Sequence, residues 1–175
     1  MAEDEPIQPL CFVLMPFGKK QDPAGKTVDF DAVYSRLIAP AIEAAGLAPI
    51  RADQEMTGGV IHKPMFERLI LCDYAVADLT TANANVFYEL GFRHALRPYT
   101  TVLLFAEGGR PAFDVAPVRA LPYRLTKAGS PADPEAVRQA LTKSPEGSAA
   151  REMSVVGRSL SRLRRADLAL ALEQI

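Results

Sequence analysis

Four short apolar runs, CFVLMPF (11–17), LAPIRAD (47–53), YAVADL (74–79) and TTVLLFAE (100–107), are separated by segments that carry helical periodicity. Between the first two, Phe30, Val33, Leu37, Ile38 and Ile42 recur at three- and four-residue spacing, with Asp29 as an N-cap and Gly46 as the stop. This predicts a helix over 29–45, bent at Pro40. Ile61, Met65, Leu69 and Cys72 predict a second helix over 61–72, and a third runs from Val86 to about Leu96, capped by Asn85 and ended before Pro98. Strands that are apolar on both faces and alternate with helices fit a parallel sheet covered on both sides. The expected fold is α/β, a doubly wound, mainly parallel sheet of about five strands. LPYRLT (121–126) supplies the fifth strand and a short helix follows from about Pro134.

The α/β domain is expected to span 10–143. After the linker SPEGSA, Met153, Val156, Leu160 and Leu163 form one apolar stripe, which predicts a C-terminal helix over 150–175. It either docks on the domain, makes a dimer contact or connects to a partner.

Composition narrows the function. A net charge of −1 and scattered Lys and Arg give no field for a phosphate backbone, so no nucleic acid is expected as a partner. The apolar runs are strand-sized and the opening MAEDEPIQP lacks the order of a signal peptide, so no membrane is expected and the chain reads as cytoplasmic. Cys11 and Cys72 show no metal-ligand spacing and read as buried free thiols; neither a metal nor a cofactor is predicted.

In doubly wound sheets, ligands sit outside the carboxyl ends of the strands. The loops there are GKKQDPAGKT, QEMTGG, TTANAN and EGGRPAFD. Asp78 ends the third strand, and Glu89 lies about one turn inside the next helix, so both can face one crevice. Alternatively, Asp78 caps the loop and Glu89 is a solvated carboxylate. Tyr88 flanks Glu89, and Gly91 within a helix suggests close packing at that point. Gly18 in MPFGKK and Gly58 and Gly59 in TGGVIHKP are places where backbone could meet a ligand, or are turn glycines. Phe17 and Tyr88 are candidates for stacking on a base, and Asn83 and Asn85 for polar contacts to substrate. His62 and His94 read as isolated helix residues.

The stretch CDYAVADLTTANANVFYELGFRHAL resembles the signature of nucleoside 2-deoxyribosyltransferase-like proteins, within the wider group that includes TIR domains. CFVLMPFG, FDAVYSRLIAPAIEAAGL and LPYRL look closer still to a bacterial domain that precedes helical repeats. That domain is similar to the TRAF-binding region of stress-activated MAP kinase kinase kinases. The resemblance implies a flavodoxin-like sheet and a nucleophilic glutamate in the ELG motif, here Glu89, acting on the anomeric carbon of a nucleoside, a nucleotide or NAD. It implies a partner carboxylate at Asp73, with Asp78 part of the subgroup's motif. Transferases often carry a sugar-binding acid six residues before the nucleophile; this chain has Asn83, an amide without that charge. They often complete their sites across subunits, so a homodimer or a helical-repeat partner is implied. The expected activity is cleavage or transfer of an N-glycosyl group. The alternative is a catalytically silent nucleotide-sensing or protein-interaction module in signalling or defence.

Overall fold

The computed structural model describes residues 8–52, 62–108 and 120–143. Five strands form one wholly parallel sheet: β1 (Leu10–Leu14), β4 (Ala48–Arg51), β5 (Tyr74–Asp78), β6 (Thr101–Ala106) and β7 (Ala120–Tyr123). Their spatial order is β4-β1-β5-β6-β7. Counting only these strands, the order is second, first, third, fourth, fifth, that of flavodoxin-like sheets.

Helices cover both faces. On one side lie α1 (Phe30–Val33), a π-helical turn (Tyr34–Ile38), α2 (Ala39–Ala44) and α5 (Pro134–Lys143). They pack with Val13, Val76, Leu104, Ala106 and Tyr123 into one core. On the other side, α3 (His62–Leu71) and α4 (Ala84–Leu96) bury Phe12, Leu14, Ala77, Leu79 and Leu103. Successive strand residues thus alternate between two cores, which is why the strands are apolar throughout.

The Asp29 cap and the Gly46 stop form as predicted. Asp29 accepts from the Ala32 amide at 3.1 Å, and Gly46 takes φ +75. Pro40 has no N–H to give and its ring crowds the preceding turn; the chain answers by widening, with Ala39 N–H donating to Tyr34 O across the π turn. Two features differ from the sequence-based expectation. The polar stretch after β1, read as a loop, folds into a hairpin of an exposed β2 (Lys19–Gln21) and of β3 (Thr27–Asp29), whose Val28 is buried in the core. Asp22 closes its turn by accepting from the amides of Ala24 and Lys26. The α4 cap is Asn83 rather than Asn85: the Asn83 backbone is extended and its Oδ1 accepts from the Asn85 and Val86 amides at 3.0 and 3.3 Å. Gly58, Gly59 and the helix expected over 150–175 lie outside the described residues. No described helix is long and apolar enough to cross a membrane.

Gly91 faces solvent, and a Cβ built there meets nothing within 4 Å. The close packing inferred for it from sequence is not present among the described residues, so the glycine only costs helix propensity. Gly91→Ala is expected to stabilise the domain by about 0.5–1 kcal/mol, seen as a higher urea midpoint at unchanged slope.

Candidate functional site

The β1-to-α1 connection leaves toward one face of the sheet and the β5-to-α4 connection toward the other. The carboxyl edge between β1 and β5 is therefore the topological switch point, the place where doubly wound sheets form their ligand crevice. Its rims are Met15–Gly18 on the β1 side and Leu79–Asn83 on the β5 side.

The β5 rim is held rigidly from beneath. Asp78, 1% exposed, receives the Thr80 amide at 2.9 Å on Oδ1 and the Tyr123 hydroxyl at 2.7 Å on Oδ2. The single phenolic proton is spent on Asp78, so the Thr80 hydroxyl donates in its 3.0 Å contact with Tyr123, while its oxygen accepts from the Ala106 amide at 3.0 Å. Burial pushes the Asp78 carboxyl up from its ordinary range, against the hydrogen bonds from Thr80 and Tyr123. The network ties the ends of β5, β6 and β7 and fixes the turn that leads to the Asn83 cap. In that turn Ala82 adopts φ 49, a left-handed conformation that costs an alanine about 1 kcal/mol. Tyr123→Phe leaves one oxygen of a buried carboxyl without its donor; a loss of about 1–3 kcal/mol, measured by urea unfolding, is expected.

Glu89 lies on the other side of the sheet from this network. Asp78 pairs in register with Leu104 and shares its face with Val76, toward α1, α2 and α5. On α4, Val86, Leu90 and Arg93 face the sheet, while Tyr88 and Phe92 meet Phe66 of α3 edge-on at 6.2 and 4.8 Å. At 100° per residue, Glu89 falls between these two lines, in the wedge between the sheet and α3. It stands about 9 Å past the cap, beyond the turn where the helix dipole acts strongly. The side chain is half-buried, and no hydrogen bond or ion pair holds its carboxyl among the described residues. Burial raises its pKa to about 7.

The structure does not bring the three predicted carboxylates together. Asp78 and Glu89 are separated by the sheet. Asp73 precedes β5 at the amino edge, about 16 Å from the crevice, where its carboxylate accepts from the Leu10 amide at 3.4 Å. Asn83 has committed its oxygen to capping, so only its NH2 group is free to meet a substrate. Asn85 is exposed in the first turn, and Tyr88, 65% exposed, sits on the outer side of α4 against α3. Phe17 and Gly18 do stand at the β1 rim; Gly18 takes φ +65 and its amide points at Asp31 Oδ1, 3.3 Å away.

No protein-family model matches this chain, and no curated protein matches it significantly. What the site can do is therefore set by its own chemistry.

Sequence reasoning missed a second group at this edge. Arg51, the last residue of β4, places its guanidinium 5.4 Å from the Phe17 ring centroid and 4.6 Å from that of Tyr34, and donates to Asp31 at 2.9 Å. That pairing holds Asp31 below the usual carboxylate range. It also missed Arg93. Fully buried in α4, this residue donates to the carbonyls of Leu69, Cys72 and Asp73 and to the hydroxyls of Thr100 and Thr101. It thus closes the open end of α3 at the edge opposite the crevice. A cation at a sheet-facing position of a helical pattern was the available signal. Among the described residues, no group of three or more His, Cys, Asp or Glu side chains gathers as metal ligands.

Proposed function

We propose that the crevice between β1 and β5 binds a nucleoside or nucleotide and that Glu89 acts on its N-glycosidic bond. The observation that carries this reading is Glu89 itself: a half-buried carboxyl with a pKa near 7 and no partner among the described residues. Folding gains nothing from such a group, whereas chemistry uses it. Breaking an N-glycosidic bond builds positive charge on the sugar, which a nearby carboxylate stabilises or captures. In the latter course a Glu89 oxygen bonds to the anomeric carbon as the C–N bond breaks, and the base leaves with the bonding pair. Water then hydrolyses the sugar ester, releasing its proton and restoring the carboxylate.

The surroundings favour one substrate class. Neutral nucleosides need an acid to protonate the departing base. Asp78 is spent on Thr80 and Tyr123, Asp73 is at the far edge, and Asp31 is kept ionised by Arg51. A pyridinium N-glycoside such as NAD needs no acid, because nicotinamide departs neutral. NAD is therefore the first substrate to test, with hydrolysis the simplest outcome.

The scarcity of free acids among the described residues also favours a second reading, a module that binds the nucleotide without turning it over and passes the event to a partner. Incubation with NAD and a panel of ribo- and deoxyribonucleosides, with chromatography for free base, separates the two. Released nicotinamide supports the enzyme; binding without release supports the sensor.

A further inference from the structure

Phe17 is a large aromatic left 39% exposed at the rim of the crevice, yet it is built in rather than loose. Met15 and Pro16 before it are buried, and Gly18 after it is fixed by its carbonyl accepting from Phe30 N–H at 3.1 Å. The Arg51 guanidinium stands over the Phe17 ring and over that of Tyr34, and is anchored to Asp31. Arg51 pairs in register with Val13, so this cluster belongs to the α1 face of the sheet, whereas Glu89 belongs to the α4 face. The two faces of the sheet thus carry different chemistries beside the switch point.

We infer that Phe17, backed by Arg51, is a stacking platform for a purine ring, at the end of the ligand remote from the bond that Glu89 attacks. A cation over one face draws the ring's π density toward it, and the remaining surface then favours an electron-rich partner. An adenine ring satisfies this. A pyridinium is itself positive and electron-poor, and gains less from a ring whose π density Arg51 already draws away. The platform therefore sorts the two ends of a dinucleotide: adenine against Phe17, nicotinamide toward Glu89. Tyr34 and Asp31 act as positioning residues that hold the guanidinium over the ring. The inference rests on the proposed placement of a nucleotide in this crevice, but needs no turnover.

The test is equilibrium binding of adenosine, cytidine and nicotinamide riboside to the full chain by ligand-observed NMR, using wild type, Phe17→Ala, Phe17→Trp and Arg51→Met. Wild type should bind adenosine in preference to the other two. Phe17→Ala should weaken adenosine about tenfold or more, the usual worth of one base stacked on an aromatic side chain, and Phe17→Trp should restore it. Arg51→Met, with its fold checked by circular dichroism, should narrow the preference for adenosine over nicotinamide riboside severalfold. Adenosine bound equally well by wild type and Phe17→Ala would overturn the platform, even if Glu89 proved to cleave NAD. Loss of adenosine in Phe17→Ala from a protein that releases no base would keep the platform and remove the enzyme. A wild type that binds none of the three would remove both.

Discussion

Replacing Glu89 with glutamine is expected to lower nicotinamide release from NAD by at least about a thousand-fold, because the amide can neither attack the anomeric carbon nor offset its charge. Shape and size are kept, so nucleotide binding should survive. In wild type, the rate should rise with pH through about 7 as Glu89 ionises. Stability should move the other way. The folded pKa lies above the unfolded value of 4.5, so the contribution of this group is fully present below 4.5 and lost as pH rises through about 7. Glu89→Gln should remove that loss, so the variant gains stability relative to wild type above pH 7 while losing activity. A solvated, idle carboxylate would produce neither effect.

The largest effect on stability is expected at Arg93. Arg93→Met removes a buried cation and leaves the carbonyls of Leu69, Cys72 and Asp73 without that donor. Burial already pulls the guanidinium down to about 10, a sign of how closely it is packed. At about 1–3 kcal/mol for each orphaned group, with partial relief from water at the edge, the cost should reach about 4 kcal/mol. That corresponds to roughly 8–16 °C in melting temperature for a domain of this size. Arg93→Lys keeps the charge but not the planar fork, and should recover only part of the loss. Scanning calorimetry gives both numbers. Because Arg93 works at the edge opposite the crevice, whatever Arg93→Lys folds should bind nucleotide normally.

Local signals explain what was readable in the chain. Apolar runs of strand length alternating with helical periodicity led to the parallel sheet, and Asp29 and Gly46 marked a helix start and stop through their own side chain and backbone. Where two candidates stood together, as with Asn83 and Asn85, only the backbone conformation decided: Asn83 is extended and Asn85 already helical. Asp78 had the parity of Val76 along β5, but which face α4 would cover depends on the handedness of the crossover, a property of the assembled sheet. This is why Asp78 and Glu89 looked like neighbours and are not. The Arg51 cluster draws on the end of β4, the segment after β1 and the start of the first helical region. No window of sequence contains it, and only the β1–β4 pairing assembles it. In the hairpin after β1, β2 is polar and exposed and β3 buries only Val28, so a single apolar residue was too short a pattern to mark a strand.

The proposed function rests on one physical feature, a half-buried carboxyl in the wedge between the sheet and α3 with no partner among the described residues. Side-chain carboxyl NMR of Glu89, titrated with and without saturating nucleotide, measures this directly. A midpoint near 7 is expected in the free protein, shifting when the nucleotide binds. A midpoint at the ordinary glutamate value, unchanged by the ligand, would contradict it.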